Sequence, residues 1–314
     1  MDNLCHTLVG AALGEAGLKR RTRYANATLM IAANLPDIDV VVFATRVPAI
    51  GFRRGWTHGL VAQIVLPLLL TAAVVIVDRI RGRGAKPRAG LAASAGSDVP
   101  LHVGWTLLLS YIGVCSHVLL DYMNNYGVRL LAPSDWRWFY GDALFIADPW
   151  LWLTLGIGVW LSRRGRRTAP ARGALVVATV YILLMLAGAR TASGIVVDAW
   201  RERRGIVPRA LMVGPLPVTP FTREIIVDAG DHYETGRFSW FGPSVTFTPT
   251  MVPKNDHAPS ALAARADPQV HAFLSWARFP FWIIDRAPDG AHVTVGDMRF
   301  AGGLARFTAT TVVR

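Results

Sequence analysis

Thiol chemistry has almost no place in this chain. Two cysteines, Cys5 and Cys115, are spread over 314 residues, neither in a CxxC pair and both in apolar surroundings. That argues against a thiolate zinc site or an iron–sulfur centre, and buried free thiols are the expected reading of both. Charge is also scarce, at 17% of residues, and acidic charge scarcer still, with 21 Asp and Glu against 33 Lys and Arg. No basic stretch is interleaved with aromatics, so the net charge of +12 does not point to a nucleic-acid partner. There is no internal repeat. The first residues do not read as a cleavable signal, because Asp2, His6 and Glu15 interrupt the apolar run and the basic cluster follows it. Insertion into a membrane is expected to use internal helices.

What the sequence has in quantity is apolar length. Hydrophobic residues make up 52% of it and the mean hydropathy is +0.34. Residues 60–77 and 103–120 are each long enough to cross about 30 Å of hydrocarbon as a helix. Shorter candidates lie at 146–161 and 173–189. The segment 24–43 is apolar but broken by Asn34, Pro36, Asp37 and Asp39, and an amphipathic stretch at 2–18 precedes it. A membrane bundle of about five to six helices is the expected fold of residues 1–190.

The positive charge belongs mostly to this half, which holds 20 of the 33 basic residues. Fourteen of those 20 fall in three short connections: Lys19, Arg20, Arg21 and Arg23, then 79–88, then 163–172. Short basic loops stay in the cytoplasm. Segments 60–77 and 146–161 are therefore expected to run inward, and 24–43, 103–120 and 173–189 outward. Residues 81–100 read as a flexible Gly/Ala/Ser linker.

Beyond Ala189 the long runs give way to short alternating stretches broken by Pro and Gly. Residues 244–248 alternate, and 281–285 and 291–295 flank a Pro288-Asp289-Gly290 turn as a hairpin. Asp267-Pro268 reads as an N-cap with proline in the first turn of a helix reaching Ala277. A further strand is expected at 304–313. Residues 191–314 thus read as a strand-rich α+β domain on the exterior side, periplasmic in a Gram-negative cell.

Ionisable side chains inside membrane helices are costly, so each is a functional hypothesis. Five stand out: His6, Asp37, His58, His117 and Asp121. His117 and Asp121 share one helical face at i, i+4 spacing. The charge bias maps all five to the exterior end, whereas His102 falls at the inner end of its helix. Imidazoles and carboxylates together suit a divalent transition metal, zinc first, with manganese or iron as alternatives. Pro36 frees Asp37 and Asp39 from helical geometry, so one can bind metal while the other orients a ligand or accepts a proton. Asp39 is the favoured general base, and a helix-cap role is the other reading of Asp37. Arg53 and Arg54 suit an anionic substrate such as a phosphate ester, or else lipid headgroups. Asn124, Asn125, Tyr140, Asp142 and Asp148 crowd the same end, although Asp148-Pro149 is also an ordinary helix start. Trp136, Trp138, Trp150 and Trp152 sit where an interfacial aromatic belt is expected.

Five blocks, MDNLCHTLVGAALGEAG, ANLPDIDVV, RGWTHGL, SHVLLDYMNNYGVRLL and WFYGDALFIADPWLW, together resemble the membrane-bound metal-dependent hydrolases of the YdjM/YbcI type over about residues 1–190. The resemblance implies a multi-helix inner-membrane protein with hydrolase activity and places His6, Asp37, His58, His117 and Asp121 at matching positions. Cys5 stands where Thr or Ser is commoner. The expected activity is metal-dependent hydrolysis at the outer face of the inner membrane, on a phospholipid or lipid-linked phosphoester. Membrane lipids are the expected partners, and nucleic acid is not. A metal or ion transporter using the same cluster, and a membrane scaffold with a structural metal, are the competing readings. Few polar groups line the inner halves of the long helices, which disfavours transport.

Overall fold

The computed structural model describes residues 1–84, 99–302 and 307–314, which divide into two compact units. The first comprises 1–39, 54–140 and 146–184; the second comprises 40–53, 141–145 and 185–314. Most of the linker expected at 81–100, and the start of the strand expected at 304, lie outside the described residues.

In chain order the helical part runs α1 (Asn3–Glu15), α2 (Ala25–Ala32), a 3-10 segment (Leu35–Ala44), α3 (Ala49–Phe52), α4 (Leu60–Gly84), α5 (Val103–Tyr122), α6 (Pro149–Gly165) and α7 (Ala169–Arg204). Three of these, α4, α5 and α7, are long and apolar enough to cross a membrane, and α2 with the following 3-10 segment makes a fourth if counted as one bent span. Helix α6, at 17 residues, is shorter. Apolar side chains such as Ile64, Leu69, Ile76, Val176 and Leu183 are more than half exposed, as lipid-facing positions must be.

The first unit is held by small residues and by caps. The Asp2 carboxylate caps α1 by accepting from Cys5 N at 3.0 Å and also accepts from Trp152 Nε1 at 3.1 Å. A Cβ on Gly10 would lie 2.8 Å from the Leu29 carbonyl oxygen, and one on Gly113 would lie 3.0 Å from Ala33 N. Helices α1 and α5 thus approach the α2 backbone closely only because these two positions lack a side chain. Asp148 caps α6 through Trp150 N and Leu151 N and accepts from Tyr181 Oη at 2.9 Å, so it serves as the ordinary helix start that its sequence context suggests.

The break after α2 is sharp, with a 50° bend. Pro36 has no amide hydrogen, and Asp37 N turns to Asn34 O at 3.2 Å, so the Ala33 carbonyl receives neither helical bond.

The second unit contains two antiparallel sheets. Strands β1 (Ala210–Pro215), β2 (Thr222–Asp228), β3 (His232–Ser239) and β4 (Val245–Pro253) pair in sequence order. After α8 (Pro259–Ala264) and α9 (Pro268–Leu274) come β5 (Pro280–Ala287), β6 (Gly290–Asp297) and β7 (Thr308–Val313). The expected hairpin is β5–β6, with Trp282 opposite Val295. The expected N-cap at Asp267 accepts from Gln269 N and Val270 N, although α9 ends at Leu274 rather than 277. Helix α7 does not stop where its hydropathy drops. It continues to Arg204, and Ala192, Val196 and Trp200 pack with Val213, Ile225, Val227 and Phe238 on one face of the larger sheet. The opposite face buries Met212, Ile226 and Tyr233 against Phe279 and Met298.

Candidate metal centre

Four side chains from three separate segments meet in the first unit. Asp37 follows the break after α2, His58 precedes α4, and His117 and Asp121 lie in the last two turns of α5. One ligand atom from each falls within 4.8 Å of the others, and all four residues are buried. His58 Nε2 is 3.1 Å from His117 Nε2 and 3.2 Å from Asp121 Oδ2. Asp121 Oδ2 is 3.5 Å from His117 Nε2, and Asp37 Oδ1 is 3.9 Å and 4.0 Å from the His58 and His117 nitrogens.

Hydrogen bonds on the far sides of the two rings decide what those nitrogens present. His117 Nδ1 lies 2.8 Å from the Ala33 carbonyl oxygen, which can only accept, so the hydrogen of the neutral ring sits on Nδ1. Thr57 Oγ1 donates to Asp39 Oδ2 at 3.1 Å, and its lone pair is left to accept from His58 Nδ1 at 2.9 Å. Both Nε2 atoms therefore turn lone pairs toward each other and toward a carboxylate. Such a set is mutually repulsive without a cation at its centre. Bonds of about 2.0–2.2 Å to one ion would hold neighbouring donors roughly 3–3.5 Å apart, which these spacings approach. The residues present fit a divalent metal ion.

His6 stands beside this set. Its ring stacks on His117 with centroids 3.8 Å apart, and its Nε2 is 3.4 Å from Asp121 Oδ1. Neither buried ring nitrogen makes a hydrogen bond among the described residues. An imidazole so placed is costly unless another partner takes up its nitrogens. The α-amino group of Met1 also contacts Asp121 Oδ1.

The remaining sequence candidates separate. Asp39 sits behind His58, its Oδ2 accepting from Arg54 N at 2.7 Å and lying 3.7 Å from His58 Nδ1. Arg54 is buried, with Nε 3.0 Å from Asp121 Oδ2 and Nη1 donating to Asn124 Oδ1 and to the Gly127 carbonyl oxygen. Its positive φ of 53° turns the chain so that backbone and guanidinium both reach the cluster. Asn124 Oδ1 also accepts from Tyr126 N at 2.8 Å, fixing the loop after α5. Arg53 lies in the second unit's segment with its guanidinium 5.7 Å from the Phe43 ring centre. Asp142 also belongs to the second unit, where it pairs with Arg278 at 2.8 Å. His102 precedes α5, roughly 22 Å of helix rise from His117, outside the cluster as its position predicts. Thr57 escaped the sequence reading, although its hydroxyl immediately before His58 was a visible signal for an imidazole partner.

Residues 1–192 match the family described as YdjM inner membrane protein. An uncharacterized protein, YfhP of Bacillus subtilis (strain 168), is 23% identical over 316 residues, covering 96% of this chain and 87% of its own. That similarity extends through the strand-rich unit, beyond the reach of the family match. No solved structure matches.

Proposed function

The chain belongs to the YdjM inner membrane protein family, and from that premise we propose that it is a membrane-embedded, metal-dependent hydrolase working at the outer face of the inner membrane. The observation that carries this reading is the convergence of His58 Nε2 and His117 Nε2, 3.1 Å apart, on Asp121 Oδ2 at 3.2 and 3.5 Å. Asp37, His58, His117 and Asp121 would hold the ion, with His6 as a further donor and zinc the first choice for this nitrogen and oxygen set. A divalent ion held there supplies Lewis-acid polarisation and a water of lowered pKa.

The protein's own groups then have distinct tasks. Asp39 and Thr57 fix the ring of His58, and the Ala33 carbonyl fixes that of His117, so neither donor loses orientation during turnover. We give Asp39 this positioning task in place of the general-base role its sequence context suggests, because its Oδ2 already accepts from Arg54 N and Thr57 Oγ1. Arg54 keeps a fixed positive charge at the edge of the cluster, which suits an anionic phosphoester. The charge bias of the short loops supports an exterior placement of the cluster and of the strand-rich unit. A site at that level meets lipids first, so a phospholipid or lipid-linked phosphoester is the preferred substrate.

The test is elemental analysis of detergent-purified protein together with a screen of phosphoester and peptide substrates, with and without chelator. Stoichiometric transition metal with chelator-sensitive phosphoester cleavage is the expected result. Ion uptake into proteoliposomes without hydrolysis of any substrate would overturn the reading in favour of transport.

A further inference from the structure

A second built feature lies in the first unit, where the turn after α1 meets the turn between α6 and α7. A cavity of about 380 Å³ is lined there by Glu15, Lys19, Arg20, Arg163, Arg166 and Arg167. We propose that it binds the phosphate of an anionic phospholipid headgroup.

Charge balance is the first argument. Glu15 is buried, and its two oxygens are taken by Lys19 and by Arg163, the latter through Nε at 3.1 Å. One carboxylate thus serves two cations. Arg20, Arg166 and Arg167 are exposed and make no ion pair among the described residues. Five cations around one carboxylate leave an excess that an anion with several acceptor oxygens would relieve, and guanidinium groups match phosphate oxygens in geometry.

The second argument is rigidity. Ala171 N donates to Ser162 Oγ at 2.8 Å, locking the start of α7 to the end of α6. Arg167 N donates to Ser162 O at 3.2 Å, and Arg166 takes a left-handed conformation with φ 51°. Arg172 Nε donates to Ala16 O at 2.8 Å, tying this turn to the end of α1. The cations therefore stand on a fixed frame rather than on loose loops.

The third argument is depth. Three cations at the same end lie over aromatic rings: Arg21 over Trp105 at 4.8 Å, Arg164 over Trp160 at 5.4 Å and Arg81 over Tyr24 at 5.8 Å. Aromatic rings capped by basic side chains mark the headgroup level of a bilayer. A basic cavity framed by helix ends at that level is suited to a lipid phosphate.

The test uses the full chain in phosphatidylcholine nanodiscs with and without phosphatidylglycerol. It reads retained lipid by native mass spectrometry and thermal stability in parallel. Wild type should retain phosphatidylglycerol and melt higher in its presence. The variant carrying Arg20→Gln, Arg166→Asn and Arg167→Gln should lose retained lipid about tenfold. A charge-matched control carrying Arg79→Gln, Arg81→Gln and Arg164→Gln should keep it. Arg166→Asn alone, in a turn where asparagine tolerates the positive φ, repeats the test with a several-fold drop if the triple variant does not fold. Equal loss in the control would overturn the proposal, because attraction would then be diffuse. So would inorganic phosphate reproducing the full stabilisation in phosphatidylcholine alone, since the ligand would then be free phosphate.

Discussion

His117 Nδ1 lies 2.8 Å from the carbonyl oxygen of Ala33, the acceptor that Pro36 strips of its helical partners. A broken helix and an intact one are thereby joined at the atom that sets the tautomer of a candidate ligand. The break serves twice, since it also brings Asp37 to the same cluster.

Removing ligands should remove metal. The double variant His117→Ala, Asp121→Ala should purify without the transition metal that wild type carries, as read by elemental analysis. Full occupancy in that variant would sink the ligand assignment. Chelation of wild type should lower its thermal stability, because four buried donors then face one another without a shared cation.

Thr57→Val tests the orienting chain behind His58. Loss of the hydroxyl breaks the link between Asp39 and His58 Nδ1 while conserving volume, and metal affinity should fall about 10–100-fold. Thr57→Ser, which keeps the hydroxyl, should restore most of it. A competition titration against a metallochromic chelator separates these outcomes, and unchanged affinity in Thr57→Val would remove Thr57 from the site.

Gly113→Leu tests the close approach of α5 to α2. A side chain there meets Ala33 N at 3.0 Å and Ala32 C at 3.1 Å, so overpacking should cost about 1–3 kcal/mol. Metal should be lost with it, since His117, one turn on, would be drawn from the Ala33 carbonyl. Wild-type melting temperature and wild-type metal content in this variant would refute that packing.

The strand-rich unit offers a pH prediction independent of the metal. Burial pushes the Glu224 carboxyl up to about 7, against the opposing pull of Arg237 across the β2–β3 ladder. An unfolded glutamate titrates near about 4.3, so the folded state binds the proton more tightly. The stability this provides is fully present below the unfolded value and is lost as pH rises toward 7. Glu224→Gln should abolish that loss, leaving the variant more stable than wild type at pH 8 by on the order of 1–3 kcal/mol. Thermal melts of the full chain across pH 4–8 check it, and parallel wild-type and variant profiles would contradict it.

The sequence by itself determined a great deal. Apolar length and loop charge marked the helical half, and the change to alternation marked the strands, because hydropathy period is a local property that each segment carries alone. The cost of burying charge singled out His6, Asp37, His58, His117 and Asp121 without any knowledge of contacts. The His117–Asp121 pair was legible because i, i+4 spacing fixes a shared face before folding. Tertiary structure decided the rest. Arg53 and Arg54 look equivalent as neighbours in the chain, yet a positive φ at Arg54 turns its guanidinium onto Asp121. The sequence sets Asp37 with the ligands and makes Asp39 the favoured base, and only the folded chain puts the Asp39 Oδ2 behind the His58 ring, where it orients a donor instead. Helix α7 outlasts its own apolar run because Ala192, Val196 and Trp200 find a sheet to cover, a partner made of residues that follow it in the chain. Distances between groups remote in sequence depend on how helices pack, and that packing is set here by two glycines and one proline whose effect is felt on other segments than their own.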